Sequence, residues 1–129
     1  MKLFIYGTIK RGQCRADVMR GQKFLGSVKL VPMYKMFNLG QFPALVKVPG
    51  LDNGPMIEGE LWEVDEDCIR RLDMIEGAPS FYRRQEVQVA GNLAGQEDES
   101  LYVESYLYQG DTSDSEDVGV SWDDSMIRQ

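Results

Sequence analysis

A single α+β domain, with several short strands and one main helix, is what the sequence predicts, and three observations predict it. The apolar residues fall in short runs divided by glycine, proline and polar clusters, the pattern of strands and turns. Only the stretch from Asp65 to Glu76 sustains apolar residues at helical spacing. The chain has 129 residues, enough to bury one real core without staples and few for two domains.

Taken in order, Leu3-Phe4-Ile5-Tyr6 is rich in β-formers and too short for a helix, so it reads as a buried strand ended by Gly7. A glycine there lets the backbone turn sharply and leaves successive N–H groups free to cradle a carboxylate or an oxyanion. The same residues also read as a plain tight turn, with Lys10 and Arg11 as solvated surface charges. Arg15 to Arg20 suits a short helical turn before Gly21, and Phe24 to Val31 alternates as a strand until Pro32 interrupts it. Met33 to Leu39 has a period of two, and Gly40-Gln41-Phe42-Pro43 punctuates it before the run Ala44 to Val48. Pro49 to Pro55 is a loop by composition. In the strand Met56 to Val64, Gly59 marks a close approach, either of a substrate or of another strand. Glu58 and Glu60 read as exposed or ion-paired rather than catalytic.

Asp65 suits a helix N-cap, Glu66 and Asp67 put negative charge where the helix dipole favours it, and Gly77 is a stop signal. Ile69, Leu72 and Ile75 form one apolar face with Glu76 at its margin. Partial burial and the negative end of the helix both raise the pKa of such a carboxyl, which suits it to exchanging protons near neutral pH. By pattern alone it can also turn toward water. Ala78-Pro79-Ser80 ends the helix, and Phe81 to Val89 is a strand with Val87 and Val89 opposite Arg84, Glu86 and Gln88.

A polar hairpin connection is expected over 91–100, then a last clear strand, Leu101 to Tyr108, whose Tyr102, Tyr106 and Tyr108 share one side as a half-buried stack. From Gly110 the composition turns acidic, and Asp111 to Asp117 offers nothing apolar to bury. The organisation expected is a domain over 1–109 and an acidic tail over 110–129 packed back through Trp122.

Composition narrows the chemistry. The net charge of −7 argues against nucleic-acid binding, and its bland explanation is solubility. With no histidine, Ser-His and Cys-His nucleophile pairs and histidine metal ligands are excluded, leaving carboxylates, tyrosines or lysines for acid–base work. Cys14 and Cys68 have no metal-site or disulfide-framework spacing. No apolar run reaches signal-peptide or membrane-span length, so a soluble, cytoplasmic protein without a membrane partner is expected.

Two blocks carry a resemblance to a known family. Phe4-Ile5-Tyr6-Gly7-Thr8-Ile9-Lys10-Arg11-Gly12-Gln13 resembles the Tyr-Gly-Thr/Ser-Leu signature of the gamma-glutamylcyclotransferase-like family, nearest its gamma-glutamylamine cyclotransferase and small bacterial branches. Ile57 to Asp65 followed by Leu72-Asp73-Met74-Ile75-Glu76-Gly77 resembles the second block, which ends in that family's catalytic glutamate. Tyr82 and Arg84 resemble its Tyr-x-Arg, and Tyr106 a position near its pocket.

The resemblance implies a small mixed, mostly antiparallel β-barrel with the helix beside the pocket, and no metal or cofactor. It implies Glu76 as the catalytic acid–base and Tyr6, Gly7, Thr8, Ile9, Tyr82 and Tyr106 as substrate-binding, with Arg84 left as a structural ion-pair partner. The partner implied is a small-molecule γ-glutamyl substrate, whose α-amine attacks its own γ-carbonyl and releases 5-oxoproline and an amine. The alternatives are removal of a γ-glutamyl protecting group from a biosynthetic intermediate, and a non-catalytic binding module of the same fold. Cys14-Arg15-Ala16-Asp17 stands where relatives often have Asn and His, which leaves the preferred amine open.

Overall fold

The short apolar runs do become strands. In a computed structural model that describes residues 1–51, 53–90 and 101–128, the order is β1 (Lys2–Ile5), β2 (Lys23–Leu30), β3 (Tyr34–Asn38), β4 (Pro43–Lys47) and β5 (Glu58–Glu63). Then come α1 (Glu66–Ile75), β6 (Tyr82–Ala90), β7 (Leu101–Tyr108) and a two-residue β8 (Glu116–Asp117). Short 3₁₀ turns cover Ala16–Met19 and Asp124–Met126. The connection expected over 91–100 lies outside the described residues.

Five strands close a barrel in the order β1-β5-β2-β6-β7, and β4-β3-β8 form a separate three-stranded sheet. Every barrel pairing is antiparallel except the closing one, where β1 runs parallel to β7 with Leu3 opposite Glu104. The mixed, mostly antiparallel barrel with one helix is therefore the observed fold.

Alternation along the strands divides the core in two. Phe4, Leu61, Val87, Val103 and Leu107 pack with Tyr34, Met36 and Leu45 of the second sheet and with Trp122. Their strand neighbours Leu3, Ile5, Trp62, Tyr82 and Tyr106 face the other way, onto Ile69 and Leu72 of α1 and Met19. Gly59 belongs to this packing, because a Cβ there would lie 2.5 Å from the Phe4 ring and 2.6 Å from the Ile5 carbonyl oxygen. Its close approach is to β1, and it does not line the pocket described below.

Two expectations need correction. Ile75 does not complete a buried helix stripe: it is 39% exposed, at the end of α1, while Ile69 and Leu72 are buried. The tyrosine stack on β7 stops at Tyr106 and Tyr108, since Tyr102 projects into solvent with 56% of its surface exposed.

The C-terminal segment runs across two loops. Trp122 is buried. Its carbonyl accepts from Lys10 Nζ at 2.7 Å, Asp124 N donates to Gln13 Oε1, and the carbonyls of Met126 and Gly40 tie the last residues to the β3–β4 turn. Lys10 and Arg11 are thus not free surface charges. Arg11 pairs with the buried Glu60 carboxylate through its backbone N–H at 3.0 Å and Nε at 3.1 Å, and its guanidinium sits 3.6 Å over the Phe24 ring.

Candidate active site

One side of the site is built from backbone. After β1, the Gly7 carbonyl accepts from Lys10 N at 3.1 Å and the Thr8 carbonyl from Arg15 N at 2.8 Å, which closes a tight double turn. Thr8 and Ile9 are buried within it. Glycine is required at position 7 by crowding, not by a left-handed conformation: an added Cβ would lie 2.9 Å from Pro43 Cγ and 3.1 Å from Pro43 Cδ. Among the described residues no acceptor meets the N–H of Gly7, Thr8 or Ile9. Buried backbone donors are normally paired, so such a run marks a place for an anionic or carbonyl oxygen.

The other side is the end of α1. The Asp65 side chain caps the helix by accepting from Cys68 N at 2.8 Å, and Gly77, with φ of +62°, ends it as the sequence expects. Glu76 is the C-cap residue between them. Its backbone is fixed at both ends, Glu76 N to the Leu72 carbonyl at 2.8 Å and Tyr82 N to the Glu76 carbonyl at 3.3 Å. Three residues earlier, Asp73 accepts from Tyr106 Oη at 2.7 Å and pairs with Arg84 Nε at 3.1 Å, while Arg84 Nη1 reaches Glu104 at 3.2 Å. This network pins the last turn of α1 to β6 and β7 and gives Arg84 a structural place.

The Glu76 carboxylate makes no hydrogen bond or ion pair among the described residues. Burial pushes its pKa up from 4.5 to about 7, opposed in part by the positive charge of Arg15. A carboxyl half-ionised near neutral pH and committed to no partner is equipped to accept and return a proton.

Both sides line one pocket, which encloses about 60 Å³ and holds Tyr6, Gly7, Thr8, Ile9, Glu76, Tyr82 and Tyr106 in its wall. The structure thus gathers all seven residues singled out in the sequence. The tyrosines contribute rings rather than free hydroxyls: Tyr6 Oη donates to the Tyr106 carbonyl at 2.6 Å, Tyr82 Oη to the Pro43 carbonyl at 2.6 Å, and Tyr106 Oη to Asp73. Burial raises the pKa of all three, so they stay neutral.

Sequence reasoning missed Phe4, Ile5, Arg15, Phe42, Pro43, Ile75 and Phe81 as lining residues. Phe42 and Phe81 stand edge to face at 5.8 Å, and Phe81 and Tyr82 at 5.3 Å, making an aromatic wall at the mouth. In sequence, Phe42-Pro43 is turn punctuation and Phe81 a strand start; nothing local marks either as part of a site. Among the described residues no group of three or more metal-ligating side chains is gathered.

The family model described as gamma-glutamyl cyclotransferase, AIG2-like, matches residues 3–124. The chain belongs to this family. It is similar to gamma-glutamylaminecyclotransferase of Rattus norvegicus, 39% identical over 94 residues that make up 67% of this chain and 62% of that protein. Gamma-glutamylaminecyclotransferase A of Danio rerio is 31% identical over 121 residues, 88% of this chain and 71% of that one. The chain therefore spans less than two thirds of the length of the rat relative. Among solved structures, an AIG2-like protein from Mus musculus superposes with a TM-score of 0.69 at 31% identity, over 82% of this chain and 75% of that one.

Proposed function

We propose that this protein is a γ-glutamyl cyclotransferase, which closes the glutamyl group of a γ-glutamyl amide on itself to release 5-oxoproline and an amine. The observation that carries this reading is the pairing, in one pocket, of an uncommitted carboxyl with a pKa of about 7 and a run of uncommitted backbone donors.

A γ-glutamyl amide supplies its own nucleophile. Glu76 as carboxylate takes a proton from the substrate α-ammonium, whose usual pKa of about 8 lies close enough to that of Glu76 for easy transfer. The freed nitrogen attacks the γ-carbonyl carbon, and a five-membered ring forms. As the intermediate collapses, the bond to the amine nitrogen breaks, Glu76 returns its proton to that leaving nitrogen, and the ring nitrogen passes its second proton to the released amine, which leaves the lactam N–H of 5-oxoproline and an ammonium. No water, electron or second substrate is consumed. Holding the chain folded supplies much of the acceleration, since attack within one molecule avoids the entropy of an encounter.

The N–H groups of Gly7, Thr8 and Ile9 hold the anionic oxygens, namely the α-carboxylate or the oxygen that gains charge in the intermediate. Tyr6, Tyr82 and Tyr106 wall in the folded conformer. Removal of a γ-glutamyl protecting group from a larger intermediate would use the same steps, and only the substrate separates the two readings.

The test is to incubate the protein with a panel of γ-glutamyl amines and peptides and assay 5-oxoproline, with Glu76→Gln alongside. Release by the wild type and its collapse in Glu76→Gln is the expected result. Release from no member of the panel would leave a binding module instead, and equal release by Glu76→Gln would remove the proton-transfer role.

A further inference from the structure

We propose that Arg15 is the specificity-determining residue for the amine side of the substrate, its guanidinium pairing with a carboxylate carried by the leaving amine. This inference rests on the cyclotransferase reading and names the substrate class that the site prefers, a γ-glutamyl amino acid over a γ-glutamyl amine lacking that carboxylate.

Arg15 is set apart by where it stands. Like Arg71 and Arg83, and unlike Arg11, Arg20, Arg70, Arg84 and Arg128, Arg15 has no ion pair among the described residues, and what separates it from those two is its place at the pocket. Among the described residues that line the pocket it is the single cation, and Glu76 is the single anion. Its position is fixed without using its side chain, because its own N–H bonds the Thr8 carbonyl at 2.8 Å. In a chain with a net charge of −7, a guanidinium at a cavity with no ion-pair or hydrogen-bond partner among the described residues favours an anion there.

The partner is on the amine side for a geometric reason. Thr8 and Ile9 are buried whereas Arg15 is exposed, so Arg15 occupies the mouth and the backbone donors occupy the floor. The glutamyl head must reach both the floor and Glu76. With only about 60 Å³ enclosed, the amine portion projects outward past Arg15. A carboxylate on that portion meets a planar fork of donors suited to two-point pairing. Phe42, Ile75 and Phe81 line the same mouth and suit an apolar side chain beside that carboxylate.

A matched pair of substrates isolates this contact. γ-Glutamylphenylalanine and γ-glutamylphenethylamine share the head, the amide and the aromatic ring, and differ by the amine-side carboxylate alone. The ratio of their kcat/KM values should favour the carboxylate by about five- to tenfold in low salt and shrink as salt is added. In Arg15→Gln the ratio should fall toward one, and Arg15→Lys should restore part of it. If Arg15→Gln slows both substrates by the same factor, the guanidinium serves the glutamyl head or the fold, and the proposal is overturned; it is equally overturned if the wild type shows no preference. Should neither compound release 5-oxoproline, the cyclotransferase reading is decided by the wider panel and this contact by binding. The calorimetric affinities of the same pair then decide, with a preference lost in Arg15→Gln supporting the contact and equal affinities in the wild type refuting it.

Discussion

The two sides of the pocket solve opposite problems. The loop from Gly7 to Ile9 offers donors without acceptors, and it is held by backbone hydrogen bonds and by the ring of Pro43, with no charge of its own. Glu76 offers an acceptor without donors, is held by a helix end, and titrates near neutral pH. The difference teaches that, on the proposed mechanism, binding and proton transfer fall to groups that fail differently. The loop can be damaged only by displacing backbone, and its contribution is insensitive to pH, whereas Glu76 can be silenced by removing one charge and nothing else.

The largest effect separates them at once. Glu76→Gln keeps the shape and should lower kcat by roughly 10²- to 10⁴-fold with little change in KM, as steady-state kinetics on any turned-over γ-glutamyl amide would report. A comparable rise in KM would mean that Glu76 binds rather than transfers protons.

Next comes stability. Because the folded-state pKa of Glu76 is raised from 4.5 to about 7, the folded protein holds a proton that the unfolded chain has released across that interval. The stabilisation is complete below the lower value and is lost as pH rises through the higher one. Over that span the loss is on the order of 2–3 kcal/mol, the larger figure ignoring solvent reaching a partly exposed group. Glu76→Gln should be about that much less sensitive to pH in urea unfolding followed from pH 4 to 8, and a variant as sensitive as the wild type would contradict the burial of this carboxyl.

Gly7→Ala tests the loop. The added methyl meets Pro43 and should cost about 1–3 kcal/mol of stability, shifting the loop and raising KM while the pH profile stays put. A moved pH profile would break the division of labour between the two sides. The smallest effect belongs to the walls: Tyr82→Phe loses the bond to the Pro43 carbonyl and should cost about 1 kcal/mol in unfolding experiments, with most of kcat retained.

Much of this was legible in the sequence where local chemistry is strong. Gly77 and Asp65 bound the helix, and alternation marks β6, where Val87 and Val89 point into the core. Glu76 was visible as a carboxyl at the edge of an apolar stripe, and it needed the resemblance to become more than a boundary residue. Long-range facts were not legible. Parallel closure of β1 on β7 joins segments at opposite ends of the domain, and β8 is two acidic residues whose pairing with Phe37 and Asn38 has no hydrophobic signature. Pro43 explains why: its ring dictates the glycine at position 7 and its carbonyl orients Tyr82, yet all its sequence announces is a turn. Arg11 likewise read as solvated because its partner, Glu60, is supplied by a strand far along the chain.

The central claim is that a half-buried carboxyl across from the opening loop carries protons at neutral pH, and the titration of that one group tests it most directly. Carbon NMR of protein labelled at the glutamate side-chain carboxyl, with Glu76→Gln to assign the signal, should give a midpoint of about 7. A midpoint near the ordinary carboxyl value of about 4.3 would contradict it, because Glu76 would then be a solvated helix cap fully ionised wherever the reaction must run.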